Sequence, residues 1–179
     1  KTERLASRGD IKNILRLLSP YSKELLSYKS NNNKLLYQYL EALIKDDQLS
    51  KCLDIIESRE KLYPNNLKLQ RLKSQALFQQ KNYPDSLDTL LKCKAVLRNN
   101  DDKTQLAELY YHTQNYDKSI ELLKETLAKD ALAKNLALLG DCYFRKENFS
   151  EALVFYRKAT QKGLIKKQIL NQMGHSLRH

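Results

Sequence analysis

The chain has no Trp, a single Met, and only 4 Gly and 3 Pro among its 179 residues. So few chain breakers exclude a turn-rich sheet protein, and the abundance of Leu, Lys, Ala, Glu, Gln and Asn favours helices joined by short connections. No apolar run approaches the roughly 18 to 20 residues needed to cross a bilayer, and no charged-then-apolar leader opens the chain. Three cysteines, Cys52, Cys93 and Cys142, cannot all pair with one another, and none belongs to a Cys-x-x-Cys set. A disulfide framework is thereby excluded, and a reducing compartment such as the cytoplasm is favoured. All three fall at helical positions that small buried residues normally fill, which suits core packing.

Catalytic signatures are missing as well. There is no Gly-rich phosphate loop, no His-Glu-x-x-His and no nucleophile elbow, and the only histidines are His112, His175 and His179. His175 and His179 share a helical spacing of four but lack a third ligand. Neither catalysis, nor a metal, nor a cofactor is expected.

What the chain does have is positive charge, a formal net of +11 at pH 7. Most of it is interspersed with acids, as in Glu57, Arg59, Glu60 and Lys61, which describes solvated helix faces. Only Arg157, Lys158, Lys162, Lys166 and Lys167 meet few acids.

A repeat of about 33 residues organises the whole chain. In 133–164, Leu136, Leu139, Gly140, Tyr143, Phe149, Ala152, Tyr156 and Ala159 recur at spacings of three and four, which predicts two amphipathic helices. Lys146-Glu147-Asn148 makes a polar turn between them, and Gly163 ends the second helix. The same pattern returns in Leu106, Ala107, Tyr110, Tyr116, Ser119, Leu123 and Thr126. It returns again in Ser74, Leu77, Tyr83, Ser86, Leu90 and Cys93, and in Leu43, Leu49, Cys52 and Ile56. Small residues, Gly140 with Ala152, Ala107 with Ser119 and Ser74 with Ser86, predict close crossings within each pair. The expected helical pairs are 34–46 with 49–62, 67–80 with 83–98, 102–113 with 116–129, and 133–146 with 149–162.

This pattern resembles the tetratricopeptide repeat family, most closely in 133–166, where Leu139-Gly140, Tyr143, Ala152, Tyr156 and Ala159 stand at consensus places. Departures are the absence of Trp, a single terminal proline, Pro64, and Leu40 and Arg59 at positions normally small. The resemblance implies an all-α, right-handed α-α superhelix of about four complete helical hairpins with partial units at both ends. The expected organisation is a partial unit at 1–32, full units at 33–66, 67–99, 100–132 and 133–166, and the first helix of a further unit at 167–179, all in one solenoid domain. Such an array is expected to continue beyond both ends, leaving Leu170, Met173 and Leu177 poorly covered and prone to self-association. A break is expected near Pro20, with Ser19 as cap, and a loop at Ser30-Asn31-Asn32-Asn33.

The family orientation places first helices on the concave side. One face of each gives the candidate groove: Tyr37, Glu41, Ile44 and Lys45; Arg71, Gln75, Phe78 and Gln79; Thr104, Glu108, Tyr111 and His112; Ala137, Asp141, Phe144 and Arg145. Ile44, Phe78, Tyr111 and Phe144 would form an apolar stripe flanked by charge, suited to a partner peptide or helix. The competing reading is that these aromatics only pack between neighbouring first helices. The Lys and Asn pairs with which family members clamp the carboxylate terminus of heat-shock chaperones are missing, and acids stand at three of those places. The expected function is therefore a non-catalytic protein-interaction scaffold within a larger assembly. The alternative is binding of an anionic polymer, whether nucleic acid, acidic polysaccharide or lipid head groups, through the basic surface around Lys162, Lys166 and Lys167.

Overall fold

In a computed structural model, residues 10–21, 34–92, 100–128 and 131–178 are described, and every regular element among them is helical. The chain divides into two compact units, 1–95 and 96–179. The first contains α1 (Ile11–Leu18), α2 (Lys34–Lys45), α3 (Leu49–Glu60), α4 (Leu67–Gln79) and α5 (Tyr83–Lys92). In the second are α6 (Asn100–His112), α7 (Tyr116–Leu127), α8 (Ala133–Arg145), α9 (Phe149–Gln161) and α10 (Lys167–Ser176). The expected end of the helix at 83–98 and the expected loop at 30–33, together with Cys93, lie outside the described residues. Near Pro20 the helix does break: α1 stops at Leu18, and Ser19–Tyr21 forms a single 3-10 turn.

Among the described residues four hairpins, α2–α3, α4–α5, α6–α7 and α8–α9, close in the same way. Shortly after each first helix one residue has a left-handed backbone: Asp47 (φ 60°), Lys81 (63°), Gln114 (62°) and Glu147 (59°). Its N–H donates to a carbonyl of the last helical turn, as in Lys81 N to Phe78 O at 2.9 Å, while the next N–H bonds one residue further back, as in Asn82 N to Leu77 O at 2.9 Å. The paired bonds satisfy carbonyls that the helix end would orphan. None of the four residues is glycine, although a left-handed residue with a Cβ costs about 1–2 kcal/mol. Gly163 (φ 87°) closes α9 by the same bonds without that cost, as its sequence position suggested.

Inside the hairpins, the small residues meet where the spacing requires. Ser74 Oγ donates to Ser86 O at 3.1 Å and Ser86 Oγ donates back to Ser74 O at 2.7 Å, both buried. Ser119 Oγ donates to Ala107 O at 2.8 Å, and the Cys52 thiol points at Leu40 O at 3.8 Å. A small polar side chain twelve residues downstream therefore donates a second hydrogen bond to the first helix's backbone, and close approach of the two backbones makes that geometry possible. Gly140 departs from the expectation that Ala152 is its tight neighbour. A Cβ there would lie 2.6 Å from Cδ1 and Cε1 of Tyr156, whose ring is fully buried.

Large residues at two normally small positions are accommodated in the first unit. Leu40 is fully buried in a core that also holds Leu36, Tyr39, Leu43, Ile56 and Leu69. Arg59 is 2% exposed, with its guanidinium 4.7 Å from the Tyr63 ring centre, so the planar cation is covered by an aromatic face. In the second unit, Ile169 and Met173 of α10 turn inward onto Leu136, Ala152 and Tyr156. Met173 thus belongs to the core, whereas Leu170 and Leu177 are exposed.

Candidate functional site

Consecutive first helices α2 and α4 enclose a cleft of about 330 Å³. Five of the sequence-derived candidates line it: Glu41, Ile44, Lys45, Arg71 and Gln75. Their convergence follows from helical spacing, since residues three and four apart share a face, and two helices in the same register present those faces to one gap. Ile44 and Leu72, 9% and 2% exposed, form an apolar floor. Around it stand three cations and one carboxylate. Lys68 Nζ pairs with Glu41 Oε1 at 2.7 Å and lies 5.9 Å from the Tyr37 ring centre. Tyr37 is itself held by Asn66, whose Nδ2 donates to Tyr37 OH at 2.9 Å. Asn66 also caps α4, accepting from Leu69 N at 3.1 Å, so one residue fixes both the start of α4 and the Tyr37 side chain of α2.

Lys68 and Leu72 line the cleft without belonging to the candidate face. Lys68 lies three residues before Arg71 and Leu72 three before Gln75, so the helical period contains both. A face counted from Arg71 onward leaves out Lys68 in the first turn of α4, and Leu72 is the buried neighbour of that face.

The three aromatic candidates, each half-buried, are also held by the fold. Phe78 packs edge-on against Tyr83 at 5.4 Å, Phe144 against Phe149 at 5.5 Å, and Tyr111 lies tilted against Tyr116 at 5.8 Å. In each case the partner is the first residue of the same hairpin's second helix, so the aromatics fasten the hairpin turn and are not packed only between neighbouring first helices. Gln79 instead reaches the turn of the preceding hairpin, its Nε2 3.4 Å from Asp47 Oδ1.

In the second unit the candidates are drawn into contacts with the fold. Thr104 is buried and accepts from Asn135 Nδ2 at 3.1 Å, and Ala137 is buried as well. Arg145 Nε lies 3.4 Å from Tyr111 OH, His112 sits edge-on to Tyr111 at 5.3 Å, and Phe144 also meets the His175 ring at 5.2 Å. Asp141 accepts from Tyr156 OH at 2.8 Å. Burial pushes the carboxyl groups of Asp141 and Glu108 above their ordinary range, partly offset for Asp141 by hydrogen bonds from Tyr156 and Gln172 and for Glu108 by Lys134. Burial likewise lowers the pKa of His112.

Asp141 gives a pH prediction. A carboxyl group whose pKa is raised on folding binds its proton more tightly in the folded state. Its contribution therefore favours the fold below the ordinary carboxylate range and is lost as pH rises through the folded value. Asp141→Asn keeps an acceptor for Tyr156 and removes the titration. In urea unfolding, the stability of the parent relative to this variant should decline as pH rises above the ordinary aspartate value of about 4. A difference that does not change with pH would contradict this assignment.

Among the described residues no group of three or more His, Cys, Asp or Glu is placed to hold a metal ion, and no helix is long and apolar enough to cross a membrane. Burial raises the Cys52 thiol to about 12 and the Cys142 thiol to about 11, which keeps both as unreactive packing groups.

No protein-family model and no curated protein sequence matches the chain. Solved structures do. MamA from Desulfovibrio magneticus RS-1 is similar with a TM-score of 0.74 at 23% identity, over 89% of each chain. A thermophilic tetratricopeptide-repeat protein of Thermus thermophilus is similar with a TM-score of 0.66 at 18% identity, over 99% of this chain and 96% of the other. YrrB, described as a tetratricopeptide-repeat protein with an unusual peptide-binding site, is similar with a TM-score of 0.68 at 13% identity, over 82% of this chain and 76% of its own.

Proposed function

Because the chain has the tetratricopeptide-repeat fold, we propose that it works as a non-catalytic protein-interaction scaffold that seats a segment of a partner protein between α2 and α4. The cleft between these helices carries the reading, because it combines an apolar floor with a rim of both charge signs. Ile44 and Leu72 would receive one apolar side chain of the partner. Lys45 and Arg71 suit acidic groups, Glu41 suits a basic one, and the Gln75 amide can both donate to and accept from a peptide bond. Opposed rim charges fix the direction of the bound segment more than they raise affinity. The peptide-binding site named for YrrB is compatible with this use of the fold.

Gln75 is exposed, so Gln75→Trp should fill the cleft without disturbing the core. With a partner recovered by affinity purification of the parent protein, titration calorimetry should give at least tenfold weaker binding to Gln75→Trp, about 1.4 kcal/mol. Equal affinity would remove the α2–α4 cleft from the reading.

A further inference from the structure

A second cleft, of about 450 Å³, opens in the second unit between the second helices α7 and α9. Its floor is apolar: Leu136 of α8 is 4% exposed, with Leu127 and Phe155 half-buried beside it. Its rim is of one sign, formed by Lys124, Lys158 and Lys162, and no carboxylate is among its described lining residues. Two of the lysines, Lys124 and Lys158, are positioned by rings. Phe155 and Tyr143 stack at 5.5 Å and 2°, Lys158 Nζ lies 5.3 Å from the Phe155 centre, and Lys124 Nζ lies 5.8 Å from that of Tyr143. None of the three lysines forms an ion pair with a described residue. Three ammonium groups around an apolar floor, with no counter-charge among the described lining residues, are therefore available to a ligand that carries both features.

We propose that this cleft is a second protein-binding site, which takes a partner segment carrying one large apolar side chain between acidic residues. Charge complementarity selects the acids, and the buried floor selects the apolar anchor. Phe155, the one aromatic ring among the described lining residues, is already stacked on Tyr143 and lies under Lys158, which disfavours the stacked bases of a single-stranded nucleic acid. A fatty acid offers one terminal anion, whereas the ammonium groups lie on two helices, as carboxylates on both sides of an anchor require. The site differs from the α2–α4 cleft in its uniform charge and stands independently of it.

The test uses the intact chain and the peptide acetyl-Glu-Glu-Leu-Phe-Glu-Glu-amide, followed by amide proton–nitrogen NMR at low salt. Shifts are expected at 124–128 and 155–162, and Lys158→Glu with Lys162→Glu should weaken binding at least tenfold while leaving the unfolding curve unchanged. Replacing the central Leu-Phe by Ser-Gly should weaken it by a similar factor. Four outcomes would overturn the proposal: shifts centred on α2 and α4, unchanged affinity in the double variant, equal binding of the Ser-Gly peptide, or binding of decanoate at these residues without binding of the peptide.

Discussion

Tyr156→Ala is expected to destabilise the protein by about 3–5 kcal/mol, the range for deleting a buried aromatic ring. The Tyr156 ring is fully buried, covers the face of Gly140, and carries a hydroxyl that donates to Asp141 at 2.8 Å. Its removal also changes the sign of a second substitution. In the parent, the methyl group of Gly140→Ala would meet Cδ1 and Cε1 of Tyr156 at 2.6 Å. The ring cannot retreat without losing its packing and its hydroxyl bond, so overpacking of about 1–3 kcal/mol should exceed the gain of about 1 kcal/mol in helix propensity. In the Tyr156→Ala background the ring is gone, and Gly140→Ala should become stabilising by up to about 1 kcal/mol. Urea unfolding of the four proteins measures the coupling. Additive effects would mean that the ring does not rest on the glycine.

The second large effect is expected at Ala152, fully buried at the same hairpin crossing. Ala152→Leu adds volume where the equivalent residues Ser86 and Ser119 lie within hydrogen-bonding distance of a first-helix carbonyl, and should cost about 1–3 kcal/mol. Val154 supplies the control, because it sits two residues along the same helix and is 43% exposed. Val154→Leu should change stability by no more than about 0.5 kcal/mol. Equal melting temperatures for Ala152→Leu and the parent would contradict the register of α8 against α9.

Much of this architecture is legible in the sequence because it is repeated. One small residue or one aromatic proves little, but Ser74 with Ser86 and Ala107 with Ser119 recur at one offset and meet in two hairpins, whereas in the third, Gly140 makes room for the Tyr156 ring. The expected starts at 67 and 149 agree with α4 and α9, and the structure adds the reason: Asn66 and Asn148 cap these helices through their side chains. The left-handed residues Asp47, Lys81, Gln114 and Glu147 are not legible, since sequence marks that conformation by glycine and these four share only a polarity common to all surface turns. Their conformation is imposed by the closure of each hairpin, which overrides the local preference.

The candidate site is legible in part. Periodicity brings Glu41, Ile44, Lys45, Arg71 and Gln75 to one face, and these do line a common cleft. Periodicity alone does not say what lies above a residue. Thr104 shares its helical position with residues of that face yet is buried beneath Asn135. Phe78, Tyr111 and Phe144 turn toward the second helix of their own hairpin, because the closing turn places an aromatic within ring-contact distance there. The α7–α9 cleft escapes for a related reason: its floor comes from three helices, and although Lys158 and Lys162 stand out in sequence as meeting few acids, nothing there joins them to Lys124 or to an apolar floor.

Site-specific photo-crosslinking addresses the proposed function most directly. A benzophenone side chain at Gln75, and in a second protein at Val154, would be irradiated with the recovered partner bound. The account predicts efficient crosslinking from position 75 to one short partner segment that contains an apolar residue flanked by charge, and little from position 154. Crosslinks of equal yield from both positions, or none from position 75 to a partner that remains bound, would contradict it.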